Sequence, residues 1–247
     1  MSAASIKEKV ADLAATFKNT GRLVIVGASL AGLRAAEALR KEGFTGPLTI
    51  IGDEPEEPYD RPPLSKQVLK GWVPADHTKL PRVRQVDAEW RLGIAATGLD
   101  RVTKQVRLAS GEQVPYDRLL IATGTRAREW PNAKEAALEG VYTIRTSTDA
   151  AGLQKALAAK PGRVLVIGAG FIGSEVASVC RELGLPVTVV ERGSAPLVGA
   201  LGGVIGAIAA EMQRDHGVDL RTGIGVKSLE GDGKGHVRRV PDSPTTA

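Results

Sequence analysis

The sequence Arg163-Val-Leu-Val-Ile-Gly-Ala-Gly-Phe-Ile-Gly-Ser-Glu175 has the pattern of a strand, a glycine turn and a helix. An apolar, β-branched run ends at Ile167, and the residues after the turn repeat their apolar positions with the period of a helix. Gly168 is predicted to make the tight turn, Gly170 to let backbone N–H groups approach a pyrophosphate, and Gly173 to let helix and strand pack closely. The stretch therefore predicts a unit that binds a dinucleotide.

A second apolar run follows, Val187-Thr-Val-Val-Glu191, and it ends in an acid. A carboxylate at the tip of this strand accepts hydrogen bonds from both ribose hydroxyls and repels a 2′-phosphate, so NAD(H) is favoured over NADP(H). Arg192 is the opposing feature, since a cation suits a 2′-phosphate. A glycine-rich turn without a ligand is the alternative interpretation, but the strand before, the helix after and the acid favour a nucleotide site.

The same pattern occurs earlier in the sequence, as Gly27-Ala-Ser-Leu-Ala-Gly32, with a second apolar strand that leads to Asp53. Ser29 stands in the place of the second glycine. Its Cβ is expected to narrow the approach of the backbone to phosphate, while its hydroxyl can donate a hydrogen bond in return. Two such units predict two dinucleotides, and the common combination is FAD on the first unit and a nicotinamide cofactor on the second.

The composition is that of an ordinary globular protein of 247 residues, with 43% hydrophobic and 25% charged residues. Aromatic residues make up only 4% of the sequence. The net charge is +5, but the Lys and Arg residues are scattered among Asp and Glu and form no basic stripe, so no nucleic-acid partner is predicted. One cysteine, Cys180, excludes a dithiol redox pair, and His77 has no metal ligand at suitable spacing, so no metal site is predicted. No apolar run approaches about 18 residues and no leader pattern is found, so a cytoplasmic protein without a membrane partner is expected. The oligomeric state is not indicated.

Four motifs resemble those of the FAD-dependent, NADH-oxidising ferredoxin reductases, which belong to the pyridine nucleotide-disulfide oxidoreductase superfamily and serve bacterial oxygenases and cytochrome P450 systems. The motifs are Gly27-Ala-Ser-Leu-Ala-Gly32, Glu57-Pro-Tyr-Asp-Arg-Pro-Pro-Leu-Ser-Lys66, Leu119-Leu-Ile-Ala-Thr-Gly124 and Gly168-Ala-Gly-Phe-Ile-Gly173. The Pro-Pro-Leu-Ser-Lys element is the most specific, because disulfide reductases of the same fold carry a redox cysteine pair near that place. The resemblance implies an enzyme, an NADH-dependent ferredoxin reductase.

The resemblance implies an α/β fold with two Rossmann-like dinucleotide-binding domains, FAD and NAD(H) as cofactors, and a ferredoxin-type iron–sulfur protein as partner. It also implies that Lys66 lies beside the flavin and pairs with Glu175 near the nicotinamide, which makes these two the candidate catalytic residues. The FAD-binding residues are expected to be Gly27, Ser29, Leu30, Ala31, Gly32, Asp53, Arg61, Lys66, Ala96, Thr123, Gly124 and Arg145. The NAD(H)-binding residues are expected to be Gly168, Gly170, Phe171, Ile172, Gly173, Glu175 and Glu191.

The expected organisation is a helical tail over residues 1–20, an FAD-binding domain over 21–128, an NAD-binding domain over 146–235 and a disordered tail over 236–247. Paired prolines predict that a helix starts at about Leu64, with Lys66 in its first turn. Members of the resembling family continue well beyond residue 247, so both domains are expected to be incomplete and the protein to be truncated at its C-terminus. The alternative function is a relic or nucleotide-binding module with little or no turnover.

Overall fold

The computed structural model describes residues 3–83 and 85–244, which divide into two compact units. The first unit comprises Met1–Asp60 and Lys79–Thr125, and the second comprises Arg61–Thr78 and Arg126–Ala247. The segment Arg61–Thr78, here called the arm, falls inside the predicted FAD-binding domain but packs within the second unit. The assignment of a cofactor to each predicted domain stays a prediction.

The first unit contains a parallel sheet in the order β3-β2-β1-β7 and a separate antiparallel sheet in the order β4-β5-β6. In the parallel sheet, Val26 of the central strand stands opposite Ile51 on one side and Ile121 on the other. The elements of this unit are α1 (Ala3–Thr20), β1 (Leu23–Val26), α2 (Leu30–Lys41), β2 (Leu48–Ile51), β3 (Glu89–Arg91), β4 (Ala96–Asp100), β5 (Gln105–Leu108), β6 (Gln113–Pro115) and β7 (Arg118–Ile121).

The strands β1 and β2 of this sheet are covered on both faces, which explains their nearly continuous apolar residues. Ile25 and Ile50 pack in one core cluster with residues of α2, whereas Val24 and Ile51 pack in another with the antiparallel sheet. Alternate residues of a strand point to opposite faces, so the two clusters follow from one sequence run. The helix expected in residues 1–20 is present, and its Phe17 ring lies 5.9 Å from that of Phe44.

The second unit contains a parallel sheet in the order β10-β9-β8, flanked by helices, and two short antiparallel pairs, β11 with β14 and β12 with β13. The last long helix is broken at Gly202, which has φ 79°. The elements are α3 (Ala133–Ala136), α4 (Ser147–Ala158), β8 (Val164–Ile167), α5 (Phe171–Glu182), β9 (Val187–Glu191), α6 (Val198–Asp215), β10 (Asp219–Thr222), β11 (Ile224–Val226), β12 (Glu230–Gly231), β13 (Val237–Arg239) and β14 (Asp242–Pro244).

The core of the second unit lies between α5 and the sheet, where Val176, Val179 and Cys180 of the helix pack against Val187 and Val189 of β9. Both units are therefore built on a parallel sheet with a helix entered from a glycine turn, as the sequence predicts. None of the helices that the structure describes has the length and apolar character needed to cross a bilayer.

The predicted disordered tail over residues 236–247 is wrong for much of its length. Val237–Arg239 pairs with Glu230–Gly231, and Asp242–Pro244 pairs with Ile224–Val226. The tail gains its order from backbone hydrogen bonds to strands elsewhere in the second unit, which its polar composition does not reveal. Residues 245–247 lie outside the described residues.

Candidate functional site

The glycine turn of the second unit joins β8 to the N-terminus of α5. Gly168 has φ 100°, a left-handed conformation that favours glycine, and its N–H donates to the Val190 carbonyl oxygen at 2.8 Å. A Cβ built on Gly173 would lie 2.0 Å from the Gly168 carbonyl oxygen. The first turn of the helix therefore rests directly on the backbone of the loop, which is the close packing expected from Gly173.

At Gly170 the same turn is open. A Cβ on this residue would meet no heavy atom of the described residues within 4 Å, and its backbone is extended, with φ −74° and ψ −172°. Gly170 is the N-cap of α5, and the side chains of Phe171 and Ile172 in the first turn are exposed. The first N–H groups of a helix have no intrahelical acceptor and favour an anion. These residues therefore fit a dinucleotide pyrophosphate.

Glu191 lies beside this turn and is held by two backbone donors. The Ala169 N–H donates to Oε2 at 2.7 Å, and the Gly193 N–H donates to Oε1 at 2.6 Å. Each carboxylate oxygen has a further lone pair, which can accept a hydrogen bond from a ribose hydroxyl. The neighbouring side chain, Arg192, is exposed. The structure therefore brings the predicted ribose-binding acid and the glycine turn together.

The turn of the first unit has the same construction. Gly27 has φ 123° and donates its N–H to the Ile51 carbonyl oxygen at 2.8 Å, and a Cβ on Gly32 would lie 1.9 Å from the Gly27 carbonyl oxygen. A Cβ on Gly27 would lie 2.1 Å from the carbonyl oxygen of Ala122. The Gly27 turn is thus packed against the backbone that leads from β7 into Thr123 and Gly124. Thr123 and Gly124 are expected near FAD only from the family resemblance.

Ser29 is the N-cap of α2, the place that Gly170 occupies in α5. Its side chain makes no capping hydrogen bond, and its backbone is extended. Leu30 and Ala31, in the first turn, are exposed at the helix N-terminus. The hydroxyl of Ser29 is thus not used to cap the helix, which is compatible with the expected donation to a phosphate.

The acids of the two units do not occupy equivalent positions. Val26 stands opposite Ile51 and Ile167 stands opposite Val190, so the residue that corresponds to Glu191 is Gly52. Sequence reasoning missed this glycine, although it directly precedes Asp53. A Cβ on Gly52 would lie 2.6 Å from the Cβ of Ala28, so the turn packs where the second unit carries a carboxylate. The exposed Asp53 corresponds instead to Arg192.

Ala96, expected at the adenine end of FAD, opens β4 on the antiparallel sheet and pairs with Leu108. Its side chain packs partly buried against a core cluster that also contains Val24 and Ile51. The remaining FAD-binding candidates, Arg61, Lys66 and Arg145, lie in the second unit. Contact of any of these residues with a cofactor stays a prediction.

The arm begins with a 3-10 helix over Pro62–Ser65, and Lys66 follows as its C-cap. The helix predicted to start at about Leu64, with Lys66 in its first turn, is therefore wrong in position, because the observed helix starts at Pro62 and ends before Lys66. In this segment N–H groups donate to the carbonyl oxygen three residues earlier. The Leu64 N–H donates to Arg61 at 2.9 Å, and the Lys66 N–H donates to Pro63 at 3.1 Å. Prolines at the first two helical positions supply no N–H donors, which suits one short tight turn.

The structure brings Lys66 and Glu175 together. The Lys66 Nζ lies 2.8 Å from the Glu175 Oε2 and also donates to the Pro62 carbonyl oxygen at 3.1 Å. The Ser65 hydroxyl donates to the same Oε2 at 2.5 Å. Burial opposes ionisation of Glu175, but the hydrogen bonds from Lys66 and Ser65 outweigh it and hold the pKa of its carboxyl below the usual value.

Arg61 and Arg145 also lie together. The Arg61 guanidinium donates to the Arg145 carbonyl oxygen at 2.8 Å. The Arg145 N–H donates to the Asp149 Oδ2 at 2.9 Å, next to the capping box that Thr146 and Asp149 form at the start of α4. The backbone of Arg145 is thus fixed by the N-terminus of α4, and the starting point of its side chain is fixed with it.

Comparison with known proteins gives the family. A model of the pyridine nucleotide-disulphide oxidoreductase family matches residues 21–246. The chain belongs to this family. The match includes both glycine turns, the arm and α5.

Two curated relatives are named as reductases. The chain is 39% identical over 211 residues to rhodocoxin reductase of Rhodococcus erythropolis, covering 84% of this chain and 49% of that protein. It is 39% identical over 222 residues to the biphenyl dioxygenase system ferredoxin–NAD(+) reductase component of Paraburkholderia xenovorans, covering 88% of this chain and 53% of that protein. The chain thus spans about half the length of the curated relatives it matches.

Among solved structures, the covalent putidaredoxin reductase–putidaredoxin complex matches with a TM-score of 0.82 at 31% identity, covering 91% of this chain and 55% of that chain. A NAD-dependent persulfide reductase from A. fulgidus matches with a TM-score of 0.78 at 26% identity, covering 90% of this chain and 44% of that chain. The predicted fold class of two Rossmann-like units is confirmed by these matches.

Proposed function

We propose that this protein is an FAD-dependent oxidoreductase that takes hydride from NADH and passes electrons one at a time to a ferredoxin-type iron–sulfur protein. The observation that carries the proposal is the Lys66–Glu175 ion pair, which lies in the second turn of the helix that begins at the open Gly170 turn. Cys180 is the only cysteine of the sequence and is buried, so no thiol pair competes for the redox role.

FAD, when bound, supplies the two-electron to one-electron conversion that the proposed reaction needs. The protein itself supplies charge and position. Lys66 provides a cation that stabilises negative charge on a reduced ring, and Glu175 restricts where that cation can lie. Neither side chain donates a proton to substrate in this scheme, because hydride transfer between two cofactors requires no acid from the protein.

The proposed nucleotide on the second unit is NADH. Glu191 supports this choice, since its anchored carboxylate suits two ribose hydroxyls and repels a 2′-phosphate. Arg192, next in the sequence and exposed, is the group that would favour NADPH. The carboxylate of Glu191 has the better defined position of the two groups, because two backbone N–H donors hold it.

The proposed electron acceptor is supported by the relatives. One is the reductase component of a biphenyl dioxygenase system, and putidaredoxin reductase has been solved in a covalent complex with putidaredoxin. A ferredoxin-type iron–sulfur protein is therefore the partner that we propose for this protein. A cytoplasmic location stays a prediction from the sequence.

The test is spectroscopic. Purified protein is incubated with FAD, freed of excess flavin and titrated with NADH without oxygen. The expected result is a yellow protein whose flavin absorbance bleaches with NADH and much more slowly with NADPH. A colourless protein that does not take up FAD would support the alternative, a nucleotide-binding module without turnover. Reduction of a bacterial [2Fe–2S] ferredoxin by the loaded protein then tests the acceptor.

A further inference from the structure

Ser65 is a buried polar residue of the Pro-Pro-Leu-Ser-Lys element to which the sequence assigns no role. The residue is 2% exposed, and its hydroxyl oxygen lies 2.5 Å from the Glu175 Oε2. The Lys66 Nζ meets the same oxygen at 2.8 Å. Two adjacent residues of the arm thus donate to a single carboxylate oxygen. Ser65 is a neutral, buried donor, and Lys66 is a cation that is partly exposed to solvent.

Other contacts are sufficient to hold the arm against α5. Lys70 forms a second ion pair with Glu182, two helical turns beyond Glu175. Leu64, Val68 and Leu69 are buried, and Leu69 belongs to the main core cluster of the unit. The Ser65 hydroxyl is therefore not what attaches the arm. Its effect is local to the carboxylate.

An ion pair between long side chains at the surface is normally loose. The side chains of Lys66 and Glu175 are 41% and 29% exposed, and such pairs gain little because holding two flexible groups lowers conformational entropy. A third group that holds one partner removes part of that cost. Ser65 is suited to this task because its side chain is short and is itself enclosed.

We infer that Ser65 is a positioning residue, whose hydroxyl fixes the carboxylate of Glu175 so that the ammonium of Lys66 is held at one place. The inference rests on the proposed function, in which that ammonium stabilises the negative charge of a reduced flavin. Ser65 is assigned no contact with substrate or cofactor. It acts through Glu175.

The arm brings Lys66, which pairs with Glu175, and Lys70, which pairs with Glu182, while its Arg61 guanidinium donates to the Arg145 carbonyl oxygen. The strand β8 carries no ionisable side chain. β9 brings only Glu191, whose carboxylate is held by backbone N–H groups of the turn. Removal of the Ser65 hydroxyl therefore changes the surroundings of Glu175 without changing any neighbouring charge.

The test uses the protein of 247 residues with four substitutions. Ser65→Ala removes the hydroxyl, Ser65→Cys keeps the volume with a weak donor, and Ser65→Thr keeps a hydroxyl. Glu182→Gln breaks the second ion pair and serves as the matched control for loosening of the arm. The first measurement is the carboxyl ¹³C NMR titration of Glu175, assigned with a Glu175→Gln variant, and it needs no cofactor. Ser65→Ala and Ser65→Cys should move the titration of Glu175 upward, whereas Glu182→Gln should leave it in place.

The second measurement is the rate of flavin reduction by NADH in single turnover. Ser65→Ala and Ser65→Cys should slow it about tenfold at unchanged FAD content, Ser65→Thr should recover most of the loss, and Glu182→Gln should stay within about twofold. If the wild-type protein is not reduced at all, the proposed function fails, and the NMR titration alone decides the role of Ser65. If Ser65→Ala titrates and reacts like the wild type, or if Glu182→Gln causes an equal loss, the inference about Ser65 is wrong.

Discussion

Two glycines of the same turn lead to opposite expectations on replacement by alanine. A Cβ on Gly173 would lie 2.0 Å from the Gly168 carbonyl oxygen, against an ordinary contact of about 3.4 Å, so helix and turn must separate by more than about 1 Å. The obstructing atom belongs to the backbone and cannot rotate away. We expect Gly173→Ala to cost about 3 kcal/mol, the upper part of the range for overpacking, and to lower the melting temperature by about 6 to 12 °C.

Gly170→Ala should leave the fold intact and weaken nucleotide binding. The backbone of Gly170 is in a region open to alanine, and the added methyl meets none of the described atoms within 4 Å. Replacing the glycine lowers the conformational entropy of the unfolded protein, which favours folding, whereas alanine is a poorer N-cap than glycine, which opposes it. The two effects partly cancel, so the free energy of unfolding should change by less than about 1 kcal/mol. The methyl does occupy the space where a pyrophosphate would approach, and we expect NADH to bind about 10 to 100 times more weakly, or about 1.4 to 2.8 kcal/mol.

The assay pairs thermal unfolding by circular dichroism with NADH titration by calorimetry. Gly152→Ala, at an open position of α4, is the matched control and should bind NADH as the wild type does. Unchanged NADH affinity in a stable Gly170→Ala protein would refute the assignment of the turn to a pyrophosphate. Wild-type stability of Gly173→Ala would refute the packing argument itself.

Three further predictions concern single side chains. Glu191→Ala should lower the ratio of the steady-state rate with NADH to the rate with NADPH about tenfold. An unchanged ratio would show that the carboxylate does not select the nucleotide. Hydrogen bonds from Arg22 hold the pKa of Asp117 at about 2, below its unfolded value, so this bridge stabilises the protein above about pH 4 and is lost as the pH falls through 2. Because Asp117 is partly exposed, Asp117→Asn should cost only about 1 kcal/mol in urea unfolding at pH 7, and no cost at pH 7 would contradict the prediction. Burial raises the thiol pKa of Cys180 to about 11, so Ellman's reagent should label it at pH 8 only on unfolding, and rapid labelling of native protein would contradict its burial.

The parts of the fold that the sequence predicts are those encoded by local pattern. The runs Val164–Ile167 and Leu23–Val26 are apolar and β-branched, and each is followed by glycines at the spacing that a helix entry requires. The strand Glu89–Arg91 has no such pattern. It is a strand because it pairs with β2, where Trp90 stands opposite Ile50, and tertiary pairing of this kind is not written in three polar or aromatic residues.

The parts of the site were less predictable the farther apart their residues lie in the sequence. The turn from Gly168 to Gly173 is contiguous, so its geometry follows from residue type. The Lys66–Glu175 pair joins distant parts of the sequence, and only resemblance to a family indicated it. Ser65 lies in the Pro-Pro-Leu-Ser-Lys motif, but its role gave no signal, because a serine at such a place resembles an ordinary helix cap until the partner of its hydroxyl is known.

The placement of the arm has a consequence for dissection of this protein. Because Leu69 is buried in the core of the second unit with Leu157 and Val176, a fragment that starts at residue 126 would lack both that side chain and Lys66. A simple truncation before residue 126 therefore cannot produce this unit with a complete hydrophobic core. Any recombinant version of it needs the residues of the arm joined ahead of residue 126 by a linker.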